Sequence, residues 1–103
     1  MTDQTVHYIG EIGTEIIVDC GIDISTATNY KLYVQKPDGT RATWTPTIYT
    51  PLGGEPNYLK YSTVVGDFSV SGLYAIQPYI ELGSWKGRGQ TVFYYIYNFF
   101  NQD

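Results

Sequence analysis

The chain has 103 residues, the usual length of one domain, so we treat residues 1–103 as a single domain with one modest core. Hydrophobic residues make up 43% and charged residues 16%, which excludes a disordered chain and leaves much of the surface to uncharged polar and aromatic side chains. The formal net charge is −4 and the six Lys and Arg residues form no run, so binding to nucleic acid or to an anionic membrane surface is not expected.

The N-terminal residues Met1-Thr2-Asp3-Gln4 are polar and acidic, whereas a secretory signal starts with basic residues and an apolar stretch. No apolar run reaches the roughly 18 residues that a membrane-spanning helix needs. We therefore expect neither a signal peptide nor a membrane segment. Cys20 is the only cysteine, so an intrachain disulfide is excluded.

Glycine and proline interrupt the chain at short intervals, and Val, Ile, Thr and Tyr fill the intervals between them. This composition favours strands and turns, and no segment shows a sustained helical period. The sequence predicts an all-β fold, an immunoglobulin-like β-sandwich of about seven antiparallel strands. The predicted strands cover residues 5–9, 14–20, 29–36, 41–49, 58–64, 72–82 and 90–99.

Turn chemistry gives two local expectations within this pattern. Pro37-Asp38-Gly39-Thr40 predicts a hairpin turn, because proline presets φ and Gly39 accepts a positive φ. Pro46 lacks an amide donor, so its strand should lie at a sheet edge or be broken there. Residues 83–89, rich in glycine, are expected to form a flexible, mildly basic loop.

Two aromatic residues are expected to have structural roles. Tyr74 follows Gly72 and precedes Ile76 by two positions, a spacing that resembles the tyrosine corner of immunoglobulin-like domains. An ordinary strand start with a half-buried tyrosine is the alternative. Trp44 is interpreted as a core tryptophan whose indole N–H donates to a backbone carbonyl.

The last predicted strand has two aromatic faces. Val92, Tyr94 and Ile96 are expected to face the core. The opposite face, extended by two residues of a neighbouring strand, predicts a partner-binding surface of Phe93, Tyr95, Tyr97, Phe99, Leu73 and Tyr79. A subunit contact is favoured because tyrosine and phenylalanine are enriched at interface cores, although the C-terminal arm or the first strand could cover the surface instead.

Trp85 lies in the predicted loop at residues 83–89. It either caps the end of the sandwich or contacts a partner beside the aromatic face, because tryptophan is a frequent interface anchor.

Catalysis finds little support in the residue types. His7 is the only histidine, and Cys20 lies in an apolar strand, where a cysteine is usually unreactive. The acidic residues are scattered among turns and strand ends. We expect no enzyme activity, no metal site and no cofactor.

Several short motifs together resemble small immunoglobulin-like virion proteins of tailed bacteriophages and prophages, which are similar to the N-terminal domain of phage baseplate upper proteins. The motifs are Val6-His7-Tyr8-Ile9-Gly10, Gly13-Thr14-Glu15-Ile16, Lys36-Pro37-Asp38-Gly39-Thr40 with Trp44, Leu59-Lys60-Tyr61, Gly66-Asp67-Phe68, Gly72-Leu73-Tyr74 and Gln77-Pro78-Tyr79. The resemblance covers residues 5–99.

The resemblance implies a structural or accessory role in a virion, in the tail, baseplate, neck or head, including capsid decoration. The implied partners are other virion proteins, further copies of the chain, or both, in a symmetric assembly. Because the sequence starts at Met1 and stops shortly after the last predicted strand, we expect a free-standing subunit. The alternative is a module that binds carbohydrate or a host surface by stacking Trp85, Tyr33 and Tyr49 on sugar rings.

Overall fold

The computed structural model describes residues 6–101 and is all-β. Nine strands lie in this part of the chain, followed by a short 3₁₀ turn at Phe99–Asn101. The strands are β1 (His7–Tyr8), β2 (Glu15–Asp19), β3 (Asn29–Gln35), β4 (Arg41–Trp44), β5 (Thr47–Tyr49), β6 (Tyr58–Ser62), β7 (Gly72–Leu82), β8 (Trp85–Arg88) and β9 (Val92–Tyr97).

The strands form two sheets whose buried faces share one core, an arrangement compatible with a β-sandwich. The larger sheet has the order β1-β9-β7-β3-β4, with β8 also paired to β7, and the smaller has the order β2-β6-β5. The expectation of an all-antiparallel fold is wrong at one place, because β1 pairs with β9 in parallel. The count of about seven also differs from the nine strands observed in residues 6–101.

One additional strand arises where the predicted strand at 41–49 divides. β4 pairs with β3 in the larger sheet, and β5 pairs with β6 in the smaller sheet. The chain crosses between the sheets at Thr45 and Pro46, so the predicted break at Pro46 is confirmed. A proline suits this position because it has no amide hydrogen to contribute to either ladder.

The other additional strand, β8, replaces the flexible loop expected at residues 83–89, and that expectation is wrong. β8 pairs with the end of β7, with Leu82 opposite Trp85. Only Gly83 and Ser84 separate the two strands, and Gly83 has a φ of 63°. Glycine at the first position of a two-residue turn permits this tight hairpin.

A β-bulge joins β8 to β9. Tyr79 of β7 lies opposite Arg88, and Ile76 lies opposite Val92. Two residues of β7 therefore face the three residues 89–91, so one residue is extra. The bulge shifts the alternation of side chains by one position, which places both Arg88 and Phe93 on the outer face of the larger sheet.

The core lies between the sheets and follows the predicted alternation. Buried side chains come from alternate positions, such as Ile16 and Val18 on β2 and Tyr74, Ile76 and Ile80 on β7. The remaining buried hydrophobic residues are Ile24, Leu32, Val34, Trp44, Leu59, Phe68 and Ile96.

The Tyr74 hydroxyl fixes the start of β7 to the segment before it. The hydroxyl donates to the Val70 carbonyl at 2.7 Å, and the Val70 amide donates back at 3.2 Å. This reciprocal pair ties the buried Tyr74 side chain to the segment that precedes β7. The predicted hairpin at residues 37–40 also forms, with Gly39 at a φ of 88° and the Lys36 amide 2.8 Å from the Thr40 carbonyl.

Trp44 is buried, but its expected hydrogen bond is absent. The indole stacks on Tyr61 at 4.7 Å between ring centroids and meets Phe68 edge-on at 6.1 Å. Its Nε1 is buried without a hydrogen-bond partner in the described part of the chain. Aromatic neighbours rather than a backbone carbonyl therefore hold this side chain.

Candidate functional site

An exposed apolar patch occupies one end of the outer face of the larger sheet. It consists of Leu73 (51% exposed), Phe93 (61%) and Tyr95 (41%). Leu73 lies opposite Tyr95 in the ladder, and Phe93 lies opposite Ala75. Opposite residues of an antiparallel pair share a face, so the three side chains form one continuous surface.

The other two aromatic residues predicted on this strand border the patch. Tyr97 is half-buried, with its ring 4.7 Å from that of Tyr95 and 6.2 Å from that of Tyr8 on the neighbouring strand β1. Phe99 is exposed, but it lies beyond β9 in the 3₁₀ turn. Tyr97 therefore supports the patch from its edge, and Phe99 extends it past the end of the strand.

Tyr79 shares the outer face but lies far from the patch, which corrects its predicted place in that surface. Tyr79 lies six positions after Leu73 on β7, a distance of about 20 Å along a strand. Its hydroxyl donates to Glu81 at 2.8 Å, and its ring centroid lies 5.6 Å from that of Tyr33. The hydrogen bond to the Glu81 carboxylate raises the pKa of the Tyr79 phenol.

Trp85 also lies apart from the patch, because it points to the other side of the larger sheet. It is opposite Leu82, whose neighbour Ile80 on the same face is in the core. The indole covers Gly87, where an added Cβ would overlap the ring. Trp85 remains 47% exposed. Its geometry is that of a cap on the edge of the sandwich.

The structure shows further exposed apolar side chains that the sequence analysis missed. An apolar rim of Ile12, Val64, Val65 and Phe100 lies on the turns at the patch end of the molecule. The Gly13 amide donates to the Thr63 carbonyl at 2.8 Å, which joins two of these turns. Val64 and Val65 did give a signal, because two consecutive β-branched residues before a turn cannot both face the core.

A polar groove lies beside the patch on the same face. This arginine groove has a volume of about 530 Å³ and is lined by residues that include Arg41, Arg88, Gln77 and Tyr33. Ala75 also lines it, so the groove and the patch meet at that residue. The guanidinium of Arg88 lies over the Tyr33 ring, with its Cζ 4.7 Å from the centroid.

Charge is distributed unevenly between this face and the rest of the chain. The ladder places four of the six basic residues on it, Lys31, Arg41, Lys86 and Arg88, with one acidic residue, Glu81. The face therefore carries a formal charge of +3, and the rest of the sequence carries −7. An acidic protein thus presents a basic sheet face.

The three aromatic residues of the alternative carbohydrate hypothesis do not share a surface. Tyr33 lies in the arginine groove, Trp85 points to the opposite side of that sheet, and Tyr49 lies on β5 of the smaller sheet. A single stacking platform for a sugar chain is therefore not formed by these residues.

His7 takes part in a local network that stabilises a turn. Its Nδ1 lies 3.1 Å from Glu11 Oε1, and the Thr14 hydroxyl donates to the same oxygen at 2.7 Å. The Tyr8 amide donates to Glu11 Oε2 at 2.9 Å. Burial alone would raise the pKa of Glu11, but these hydrogen bonds outweigh it and lower the pKa.

Cys20 is not part of this network, and its thiol is expected to be unreactive. Burial, with a smaller contribution from Asp19, raises the pKa of the thiol to about 11. At neutral pH the thiol therefore stays protonated, and the thiolate is the nucleophilic form.

Among residues 6–101, no cluster of three or more His, Cys, Asp and Glu side chains is arranged to hold a metal ion. No helix in the same range has the length and apolar character needed to cross a bilayer. Comparisons with protein-family models, curated proteins and solved structures give no match to this chain. The geometry of the larger sheet's outer face is thus the principal guide to function.

Proposed function

We propose that this protein is a structural or accessory subunit of a tailed-bacteriophage virion, an immunoglobulin-like module that binds proteins through the apolar patch. The observation that carries the proposal is the contiguous exposure of Leu73, Phe93 and Tyr95 on a strand-paired, rigid surface. The resemblance of the ordered sequence motifs to small phage virion proteins supports the virion context.

Strand order supports the immunoglobulin-like assignment. The run β9-β7-β3-β4 corresponds to the order G-F-C-C′ of variable-type domains, and β2-β6-β5 corresponds to B-E-D. Tyr74, near the start of the strand in the F position, makes the hydrogen bond to Val70 that the tyrosine corner requires.

The patch has the chemistry of an interface rather than of an ordinary surface. Soluble monomers rarely expose large contiguous apolar areas, and interface cores are rich in Tyr and Phe. Burial of these side chains against a partner removes apolar area from water, which is the main driving force of association.

A second copy of the chain is the partner that the charge distribution favours. Lys31, Lys86 and Arg88 lie toward the opposite end of β7 from Leu73, and Arg41 lies on β4, three strands across the sheet from β9. A two-fold axis across the patch directs the basic halves of two copies to opposite sides, so like charges stay apart. Such a contact is isologous, as in most homodimers, and permits a symmetric assembly.

Measurement of the molar mass of the purified protein by light scattering or sedimentation tests the proposal. The wild type should be oligomeric at micromolar concentrations, and Phe93→Ser combined with Tyr95→Ser should be monomeric with an unchanged circular dichroism spectrum. Ile17→Ser is the matched control, because Ile17 is also an exposed apolar strand residue but lies on the smaller sheet. A wild type that remains a monomer would contradict self-association.

The virion context needs a separate measurement. Mass spectrometry of purified virions from phages that encode the chain should detect it as a stoichiometric component. Its absence from intact particles would contradict the structural role, even if the purified protein associates.

A further inference from the structure

The arginine groove is a site that self-association through the apolar patch does not use. It lies over β7, β3 and β4, and its volume of about 530 Å³ falls within the range of small-molecule sites. Its lining carries two cations and, among the described residues, no acidic side chain. Such a lining selects an anionic ligand.

Arg88 is held in place before any ligand binds. Its Nη1 donates to Gln77 Oε1 at 3.2 Å, and its guanidinium is stacked over the Tyr33 ring. Gln77 is itself fixed, because its Nε2 donates to the carbonyl of Gly89 in the bulge at 3.0 Å. The hydrogen bond to Gln77 uses one of the five guanidinium N–H groups, so others remain for a ligand.

Arg41 supplies the second cation, from β4 on the other side of the groove. No described side chain forms an ion pair or hydrogen bond with it. Guanidinium groups bind carboxylates and phosphates in a bidentate manner, so two arginines around one groove indicate an acidic group on the ligand.

The uncharged polar side chains that line the groove indicate which kind of ligand bears the acidic group. Gln35, Gln77, Thr43 and Thr91 place amide and hydroxyl groups around the cations, and the apolar floor is limited to small side chains such as Ala75. Many neutral hydrogen-bonding groups suit a ligand with many hydroxyls. Inorganic phosphate is too small to contact all of these groups at once, whereas a sugar ring can reach several of them.

A peptide fits the groove less well. Tyr33 is paired with Gln77 on one side and with Thr43 on the other, so the strands beneath the groove already use their backbone groups in the ladder. An extended peptide binds a sheet through free backbone groups at an edge, and this groove lies on a face.

We infer that the arginine groove binds a carboxylate-bearing sugar of the hexuronic acid class. Arg88 and Arg41 recognise the carboxylate, and the amide and hydroxyl side chains recognise the sugar hydroxyls. The inference does not depend on the proposed assembly, because it concerns different side chains on the same face.

Titration of the ¹⁵N-labelled full-length protein with galacturonate and its disaccharide, followed by NMR, tests the site. The side-chain amide of Gln77 and the backbone amides of Tyr33 and Thr91 should shift, with a dissociation constant that rises with salt. Glucose, which lacks the carboxylate, should bind at least about tenfold more weakly, since charge-assisted hydrogen bonds are the strong ones. Acetate, which lacks the sugar ring, should also bind at least about tenfold more weakly.

Two substitutions and one control complete the design. Arg88→Gln and Arg41→Gln should each weaken galacturonate binding about tenfold or more. Arg41 lies on β4 and is not part of the bulge. Weaker binding in Arg41→Gln therefore reports the loss of a ligand contact, not a change in the structure of β8. Lys60→Gln is the matched control, because Lys60 also lies over a tyrosine ring, that of Tyr49, but on the smaller sheet. It should bind like the wild type.

Several results would overturn the inference. These are equal binding of glucose and galacturonate, equal binding of acetate and galacturonate, unchanged affinity in both arginine variants, or groove shifts with an Asp-Glu peptide but none with galacturonate. Phe93→Ser with Tyr95→Ser should retain galacturonate binding, so failure of assembly and failure of the sugar site are distinguishable.

Discussion

The apolar patch and the arginine groove share one face of one sheet and meet at Ala75, yet they present opposite chemistry. The patch relies on Leu73, Phe93 and Tyr95, whose exposed side chains need only a complementary apolar surface. The groove relies on oriented polar groups, with Arg88 held by Gln77 and Tyr33. Both regions include residues of β7. The difference between them comes from the strand that pairs with β7, which is β9 at the patch and β8 at the groove.

The bulge at residues 89–91 permits the two chemistries to coexist. Arg88 and Phe93 are five positions apart, so in a regular strand they would point to opposite faces. One extra residue restores both to the outer face. The bulge therefore aligns the basic β8 with the aromatic β9.

Deletion of Gln90 should have the largest effect, because it removes the extra residue of the bulge. A slip of one residue turns every side chain of a strand to the other face, so either β8 or β9 would point the wrong way. We expect a loss of at least about 3 kcal/mol of unfolding free energy, measured by urea denaturation. Gln90→Ala keeps the residue count and should be close to wild type. A deletion variant of wild-type stability would contradict the importance of the bulge.

Tyr74→Phe should have the next largest effect, because Tyr74 lies beneath the patch between Leu73 and Ala75. The substitution removes both hydrogen bonds to Val70 and leaves its backbone groups without their partner. We expect a loss of about 1–3 kcal/mol in unfolding free energy. Tyr49→Phe, on an edge strand of the smaller sheet, should change stability by less than about 0.5 kcal/mol. Equal effects of the two substitutions would argue against a structural corner.

Alternation made the patch predictable from sequence, whereas the groove was not predictable. Residues 72–82 were predicted as a strand with the observed bounds, and the outward position of Phe93 and Tyr95 follows from a period of two. The groove depends on the register of β3, β4 and β7, which pairs Tyr33 with both Gln77 and Thr43. Side chains distant in sequence meet there, and no local pattern signals them.

The errors share a physical cause, which is that tertiary pairing overrides local signals. Residues 83–89 contain three glycines and favour a loop, but the tight turn at Gly83 and Ser84 aligns Trp85–Arg88 with the end of β7. The parallel pairing of β1 with β9 joins the two ends of the chain and has no local sequence signature. The sequence leaves two places open for Trp85, a cap on the sandwich end or a partner contact beside the aromatic face, and the pairing of β8 with β7 turns it to the core side of the larger sheet.

The Glu11 network in the turn after β1 should give a smaller, pH-dependent effect. Because the pKa of Glu11 is lowered in the folded state, its contribution to stability is present above the ordinary value of 4.5 and is lost as the pH falls through the folded value. Glu11→Gln should therefore be less stable than wild type at pH 7, with a smaller difference at pH 3. Urea denaturation at both pH values measures this. If the stability difference between Glu11→Gln and wild type were larger at pH 3 than at pH 7, the pKa of Glu11 would not be lowered by folding.

Tyr79→Phe should have the smallest effect and tests the separation of the two regions directly. Tyr79 lies at the groove end of β7, so its substitution should leave the molar mass of the assembly unchanged. The hydrogen bond from Tyr79 is the main cause of the lowered pKa of Glu81, followed by the bond from Asn29, so its loss should move that pKa upward. NMR titration of the Glu81 carboxyl group measures the shift. Dissociation of the assembly in this variant would instead join Tyr79 to the patch, because an effect on association across about 20 Å of strand requires that the interface extend over the whole face.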